Sequence, residues 1–200
     1  MQTYHGKRDF SRTREPRGAR EGGAEESRFV VQKHDASTMH FDFRLQVGDV
    51  LKSWSIPKGP STDPRDKRLA VPTEDHPLEY EDFEGVIDEG EYGGGTVIVW
   101  ERGTYRPRSH DRRGRPVPFD ESLEHGHATF WLDGSKLHGG YALTRFRDGG
   151  AGSGKEAWLL VKANDEHADA DRATPDPRRA RSVRSGRTLR QVASRGTGHV

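Results

Sequence analysis

Cysteine is absent from all 200 residues, which excludes disulfides, cysteine-ligated zinc, iron–sulfur clusters and a thiol nucleophile. That absence fits a reducing cytoplasm, the compartment expected for the chain. No apolar run approaches the roughly 18 residues that a membrane span needs. The opening Met1-Gln2-Thr3-Tyr4-His5 also lacks a signal-peptide core, so no membrane partner is expected. An excess of one charge sign is missing too. The balance of 33 basic against 32 acidic residues gives +1, and overall charge therefore argues nothing about nucleic acid. Hydrophobic residues make up only 30%, against 32% charged, so the core must be small for the length.

What the chain does have is glycine, 24 of it, with 11 prolines, a composition that favours many turns over long helices. The segment up to Ser27 is polar, rich in Arg, Gly and Glu, and aperiodic; a partly disordered arm is expected over 1–27. Short β-type runs follow near 28–34, 39–47, 50–56, 68–72, 96–101, 127–133, 137–146 and 157–163, with a short helix near 121–126. Val47-Gly48-Asp49-Val50 reads as a two-residue hairpin, because Gly and Asp accept positive φ. Asp133-Gly134-Ser135 reads as a second tight turn. The expectation is an all-β chain, a single small barrel of about eight strands over 28–164. The tail, 165–200, is Arg-rich and expected to be partly disordered. It carries Arg178, Arg179, Arg181, Arg184, Arg187, Arg190 and Arg195, and no acid from Pro177 onward.

The densest chemical signal lies between His34 and Arg44. If Phe41, Phe43 and Leu45 form the buried face of a strand, His40, Asp42 and Arg44 share the other face, because successive side chains alternate. Residues 35–39 read as a loop, so His34 lies opposite His40 across a hairpin, and Gln32 beside Asp42. The result is a candidate His/His/Asp metal site with an anion-binding Arg next to it. Nitrogen and oxygen donors alone suit Mn²⁺, Fe²⁺ or Zn²⁺, and three protein ligands leave positions open for substrate. A solvated amphipathic hairpin has the same spacing.

Thr73-Glu74-Asp75-His76-Pro77-Leu78-Glu79-Tyr80 is a second polar knot. His76 precedes a proline and is biased to extended geometry, and Tyr80 carries a hydroxyl donor. Lys58 sits in the stiff turn Pro57-Lys58-Gly59-Pro60, and Arg68 opens an apolar strand. Gly93-Gly94-Gly95 leads into a strand and lacks a following Lys-Ser/Thr, so it reads as a turn or bulge. Trp54, Trp100, Trp131 and Trp158 sit in or beside β-type runs and read as core or rim packing.

Taken together, the ordered motifs resemble the 3′-phosphoesterase domain family of bacterial DNA ligase D. They are Lys7-Arg8-Asp9-Phe10, Thr13-Arg14-Glu15-Pro16, Phe29 through His34, Met39 through Leu45, Leu51 through Ser61, Arg68 through Val71, Thr73 through Gly95, Trp131 through Gly139, and Trp158 through Lys162. Ser182 through Leu189 resembles the end of the family's domain. The resemblance implies an eight-stranded barrel with its active site on the outer surface, and Mn²⁺, or another divalent transition metal, on His34, His40 and Asp42. It implies catalytic roles for Arg44, His76, Tyr80, Asp9 and Glu15, and substrate-binding roles for Arg8, Gln32, Lys58 and Arg68. Implied too are an amino-terminal arm folding back over the site, and removal of a 3′-terminal ribonucleoside followed by removal of the 3′-phosphate. DNA or DNA–RNA 3′ ends are then the partners of a monomeric enzyme. No ligase or polymerase module lies within these residues, so a separate ligase, polymerase and Ku-like protein are expected alongside.

Two other readings remain at this point. His40 and Asp42 with the distant His127 and Arg145 fit the two-His-one-carboxylate pattern of non-haem Fe(II) oxygenases. Alternatively, the sheet face and Arg-rich ends grip nucleic acid without catalysis.

Overall fold

The computed structural model describes residues 1–18, 27–147, 154–172 and 180–196. The parts of the expected arm and tail at 19–26, 173–179 and 197–200, Arg178 and Arg179 among them, lie outside the described residues.

β1 (Arg28–Asp35) turns into β2 (Met39–Val47), which passes through Gly48 at φ +60° into β3 (Val50–Ile56). There follow β4 (Arg68–Pro72), the two-residue β5 (His76–Pro77), a 3₁₀ turn over Leu78–Asp82, and β6 (Gly85–Ile87). The long β7 (Gly95–Pro107), β8 (His127–Gly134), β9 (His138–Arg147) and β10 (Ala157–Lys162) complete the sheet. Pairing runs β1-β2-β3-β4-β10-β9-β8-β7 and returns to β1, all antiparallel. Eight strands therefore close a barrel among the described residues, and closure leaves that ring without a free edge. β5 and β6 add to β3 and β7 from outside the ring. Among the described residues three short helices accompany it: α1 (Gln2–Gly6), α2 (Phe119–Glu124) and α3 (Leu189–Gly196). No described helix is long and apolar enough to cross a membrane.

The barrel interior holds Phe29, Val31, Phe41, Phe43, Leu45, Trp54, Ile56, Trp100, Phe130, Leu143 and Trp158. Burying each such side chain contributes roughly 1.5–3 kcal/mol. Trp54, Trp100 and Trp158 are core as expected, whereas Trp131 stands on the outer side under the Arg108 guanidinium, 4.4 Å away. A second apolar cluster coats part of the outside: Tyr4, Val30, Leu51, Leu78, Tyr80, Phe83, Ile87, Val97 and Val99. β1 is therefore covered on both faces, and Phe29-Val30-Val31 shows no clean alternation for that reason.

The structure departs from the sequence reading where polar or glycine residues disguise a strand. β7 continues to Pro107, past the expected end at 101. Gly103 looks like a breaker, but a Cβ there would lie 2.1 Å from the Asp133 carbonyl, so its bareness permits close approach to β8. Between Val31 and Gln32 the β1–β7 register shifts and skips Trp100, a bulge that lets adjacent residues Trp100 and Glu101 both be buried. α2 begins two residues earlier than the sequence suggests, and β5, β6, α1 and α3 are too short or too polar to announce themselves.

Glu101 shows what the bulge requires. It is fully buried, and its carboxylate accepts from the backbone N–H of Arg102 (2.9 Å) and Leu137 (2.9 Å), from that of Lys136, and from Ser135 Oγ (3.1 Å). Glu101→Ala leaves the buried Leu137 N–H and the three part-buried donors without their acceptor. Chemical denaturation is expected to show a loss of about 2–4 kcal/mol, while Glu101→Gln, which retains one acceptor oxygen, loses less.

Candidate active site

The β1–β2 register pairs His34 with His40 and Gln32 with Asp42, as the hairpin reading anticipated. With Phe41, Phe43 and Leu45 inward, His34, His40, Asp42 and Arg44 project from the outer face. One nitrogen from each histidine and one Asp42 oxygen lie within 4.8 Å of one another. His34 Nδ1 is 3.7 Å from Asp42 Oδ2, and His40 Nε2 is 3.6 Å from Asp42 Oδ1. Two donors bound to one first-row cation stand about 3.0–3.5 Å apart, so little adjustment separates these atoms from a ligand set. His40 Nδ1 stands 2.9 Å from the Thr38 carbonyl, a contact that orients the ring with Nε2 towards Asp42. His34 Nε2 is buried with no hydrogen-bond partner among the described residues. The donor set and its unfilled valence fit a divalent metal.

Arg44 is 3% exposed and held from three sides. Its Nε donates to Gln32 Oε1 (2.7 Å), Nη1 to Ser53 Oγ (2.9 Å) and Nη2 to Asp42 Oδ2 (3.2 Å). Gln32 cannot rotate, because its Nε2 donates to the carbonyls of Tyr80 (2.7 Å) and Phe83 (3.0 Å). Burial works against ionising Asp42, yet Arg44 and the two imidazoles outweigh it and hold the carboxyl far below the usual range.

Pairing of β5 with β3 sets His76 opposite Leu51, close to Ser53 and hence to Arg44. His76 Nδ1 donates to the Glu74 carbonyl at 2.8 Å, and Nε2 accepts from Arg8 Nη2 at 3.4 Å. Arg44 Nη1 stands 3.1 Å from Nδ1. Burial, then Arg44 and Arg8, push the imidazole down to about 2, so it is neutral.

The amino-terminal arm returns over this surface. Tyr4 is fully buried, 5.0 Å from the His76 ring centre, and its hydroxyl donates to the Pro16 carbonyl at 2.7 Å. Arg8 lies 3.8 Å over the Tyr4 ring and pairs with Glu15 (2.8 Å) and Glu74 (3.1 Å). Tyr80 donates its hydroxyl to Glu15 at 2.9 Å. Burial, reinforced by the Glu15 charge, raises Tyr80 well above its ordinary value, so it remains a donor.

Arg8, Glu15, His34, His40, Asp42, Arg44, His76 and Tyr80 all line one cavity of about 270 Å³. Gln32 lies behind it, bonded to Arg44. Three of the residues singled out from sequence stand elsewhere. Asp9 is exposed and accepts from Ser11 N and Oγ, Lys58 is exposed after β3, and Arg68 pairs with Asp66 at 2.9 Å. Sequence reasoning assigned no role to Tyr4, Ser53, Glu74, Tyr92 or Gly93, which line the cavity or brace it. Glu74 stood in the second polar knot and Gly93 in the glycine loop, and Tyr4 carried a signal as an aromatic in a polar arm. Gly93 closes the cavity beside His34, whose Cε1 a Cβ would meet at 3.7 Å. The oxygenase grouping does not form: His127 is exposed on β8, bonded to Thr144 Oγ1 and three strands round the ring from β2.

Residues 32–145 match the model of the DNA Ligase D 3′-phosphoesterase domain. The chain belongs to that family. It is 49% identical over 189 residues to the multifunctional non-homologous end joining protein LigD of Pseudomonas aeruginosa, covering 93% of this chain and 21% of that protein. The multifunctional non-homologous end joining DNA repair protein LigD of Mycobacterium tuberculosis is 41% identical over 143 residues, 71% of this chain and 18% of the relative. The LigD of Mycolicibacterium smegmatis is 37% identical over 169 residues, 83% of this chain and 21% of the relative. The chain thus spans about a fifth of the length of these relatives. The cavity of this phosphoesterase-family chain draws its lining from both inside and outside the matched stretch, since Arg8 and Glu15 precede it.

Neutral His76 makes metal-free stability fall with acidity. Its folded value is depressed, so its contribution is complete above the ordinary histidine value near 6.5 and is lost as pH falls towards about 2. Between about pH 6.5 and 4.5, urea melts of wild type are expected to lose about 2 kcal/mol more than those of His76→Gln. Asp42 and Glu74, both lowered, enter only below that window.

Proposed function

We propose that this chain is a metal-dependent phosphoesterase that processes DNA 3′ ends in double-strand break repair by non-homologous end joining. It removes a 3′-terminal ribonucleoside and then the 3′-phosphate. One observation carries the reading: the His34/His40/Asp42 donor set and the Arg44 guanidinium share the outer face of the paired strands β1 and β2, at a cavity sized for a phosphorylated sugar. Family membership and end-joining relatives support it. A cytoplasmic setting is part of the same proposal, as is action beside a ligase, a polymerase and a Ku-like end-binding protein.

His34, His40 and Asp42 would hold the ion, Mn²⁺ in this reading, which when bound supplies Lewis-acid neutralisation of phosphoryl charge. Arg44 needs no reorganisation to bind a phosphoryl oxygen, because Gln32, Ser53 and Asp42 already fix its plane. Tyr80 offers a proton-bearing hydroxyl that can turn from Glu15 to a phosphate oxygen. His76 serves the ground state as a neutral group with its Nε2 lone pair turned to Arg8. It can carry a proton to the departing oxygen only after phosphate has offset Arg8 and Arg44. Glu15 and Glu74 keep Arg8 aimed at the imidazole. Lys58 and Arg68 belong to the proposal as contacts to more distant parts of the substrate, and Asp9 as the catalytic carboxylate of the arm.

The test offers Mn²⁺ and a labelled strand ending in one ribonucleotide or in a 3′-phosphate, and identifies the terminus after incubation. A 3′-hydroxyl product is expected, with His34→Ala, His40→Ala and Asp42→Ala each slower by about a hundredfold or more. Variants at the wild-type rate, or full activity after chelation, would overturn the reading. Tight strand binding with unchanged termini would point instead to a non-catalytic module.

A further inference from the structure

Beside the active-site cavity lies a second, open hollow of about 460 Å³ walled by Arg14, Arg184, Arg187 and Arg195. We propose that this hollow is a track for the phosphodiester backbone of the strand whose 3′ end occupies the metal-site cavity. The proposal rests on the functional reading above.

Four guanidiniums reach the hollow from separate pieces of chain: the amino-terminal arm, the 182–187 turn and α3. Arg14, Arg184 and Arg195 are exposed and Arg187 is half-buried. Among the described residues, Arg14, Arg187 and Arg195 make no ion pair, and Arg184 reaches only Asp82, at 3.9 Å. Asp82 is itself engaged by Arg102 at 2.9 Å. The acid in the wall, Glu84, is committed to structure. It accepts from Val99 N–H at 3.1 Å and from the Ser185 hydroxyl. Among the described residues this local excess of positive charge is thus uncompensated, in a chain whose net charge is only +1.

The arginines stand on a fixed scaffold. Val183 N donates to the Val99 carbonyl at 2.9 Å, and Lys136 Nζ to the Arg181 carbonyl at 2.8 Å. Thr188 and Gln191 cap α3 reciprocally, with Thr188 N to Gln191 Oε1 at 3.0 Å and Gln191 N to Thr188 Oγ1 at 3.3 Å. Buried Val192 seats the helix, which packs on β6 and β7.

Position identifies the ligand. Arg14 walls this hollow while its neighbour Glu15 lines the active-site cavity, and Gly85 and Val86 wall it while Ile87 lines the cavity. Consecutive Cα atoms are about 3.8 Å apart, so the two hollows adjoin across a shared wall, within the reach of one strand. Exposed guanidiniums on several segments suit repeating phosphates better than one small anion, which would call for a single enclosed pocket.

The test measures metal-free binding of a labelled strand of about a dozen nucleotides, comparing wild type with Arg184→Gln/Arg187→Gln/Arg195→Gln and with the corresponding triple Lys variant. The Gln variant is expected to bind about tenfold or more weakly, and its salt dependence to flatten by about two in log–log slope. The Lys variant is expected to stay within about threefold of wild type, because phosphate reads the charge. In Mn²⁺ turnover, KM for the strand rises while kcat holds. KM for a nucleoside 3′-phosphate, which has no upstream backbone, is unchanged. Unaltered strand affinity in the Gln variant, or equal damage to both substrates, would overturn the track. If wild type releases no phosphate from either substrate the functional reading fails, and metal-free binding still decides the track.

Discussion

A one-residue slip of β2 against β1 would carry His40, Asp42 and Arg44 into the apolar barrel, away from His34, and expel Phe41, Phe43 and Leu45. Everything at the site depends on that pairing being held. The barrel interior enforces it, because five aromatic or branched residues of the two strands pack inward and admit only one sidedness. Closure through β7 and the Trp100 bulge leave β1 no freedom to slide. Precision at the metal-type donor set is thus a by-product of hydrophobic burial on the opposite side of the same strands.

The outer face shows how charge is tolerated without water. Arg8 with Glu15 and Glu74, and Arg44 with Asp42, form two ion-paired groups joined through His76, in which each guanidinium meets a carboxylate and each carboxylate is hydrogen-bonded. Burial alone would neutralise or expel such groups. Here the outer apolar cluster and the returning arm exclude solvent, while the pairing offsets the desolvation. His76, pressed between two cations, bears the remaining tension by giving up its proton. Such a site is preorganised for an incoming anion, which would relieve repulsion between Arg8, Arg44 and an imidazolium.

The arm and the carboxyl-terminal segment join this site to the surface beside it. Residues 14 and 15 face two adjoining hollows, one acidic side chain turned to the enclosed chemistry and one basic side chain to the open groove. A polymer substrate needs both, a small pocket for the end that reacts and a charged path for the remainder.

Local alternation and turn chemistry determined much by themselves. The strands from β1 to β4 and β8 to β10, the Gly48 turn and the outward row of His40, Asp42 and Arg44 follow from period-two patterning and a glycine hairpin. The ordered motifs carried the family. What they could not contain is anything created by closure. Gly103 reads as a breaker until β8 approaches it, and β5 is a strand only because β3 pairs with it. Tyr4, Ser53 and Glu74 acquire meaning only when the arm folds back and β3 lies beside β2. Asp9, Lys58 and Arg68 share the motifs but not the cavity, since sequence order does not encode which way a loop side chain turns. Contacts between residues far apart in the chain exist only in three dimensions, and the arginine groove, assembled from both ends of the polypeptide, is wholly of that kind.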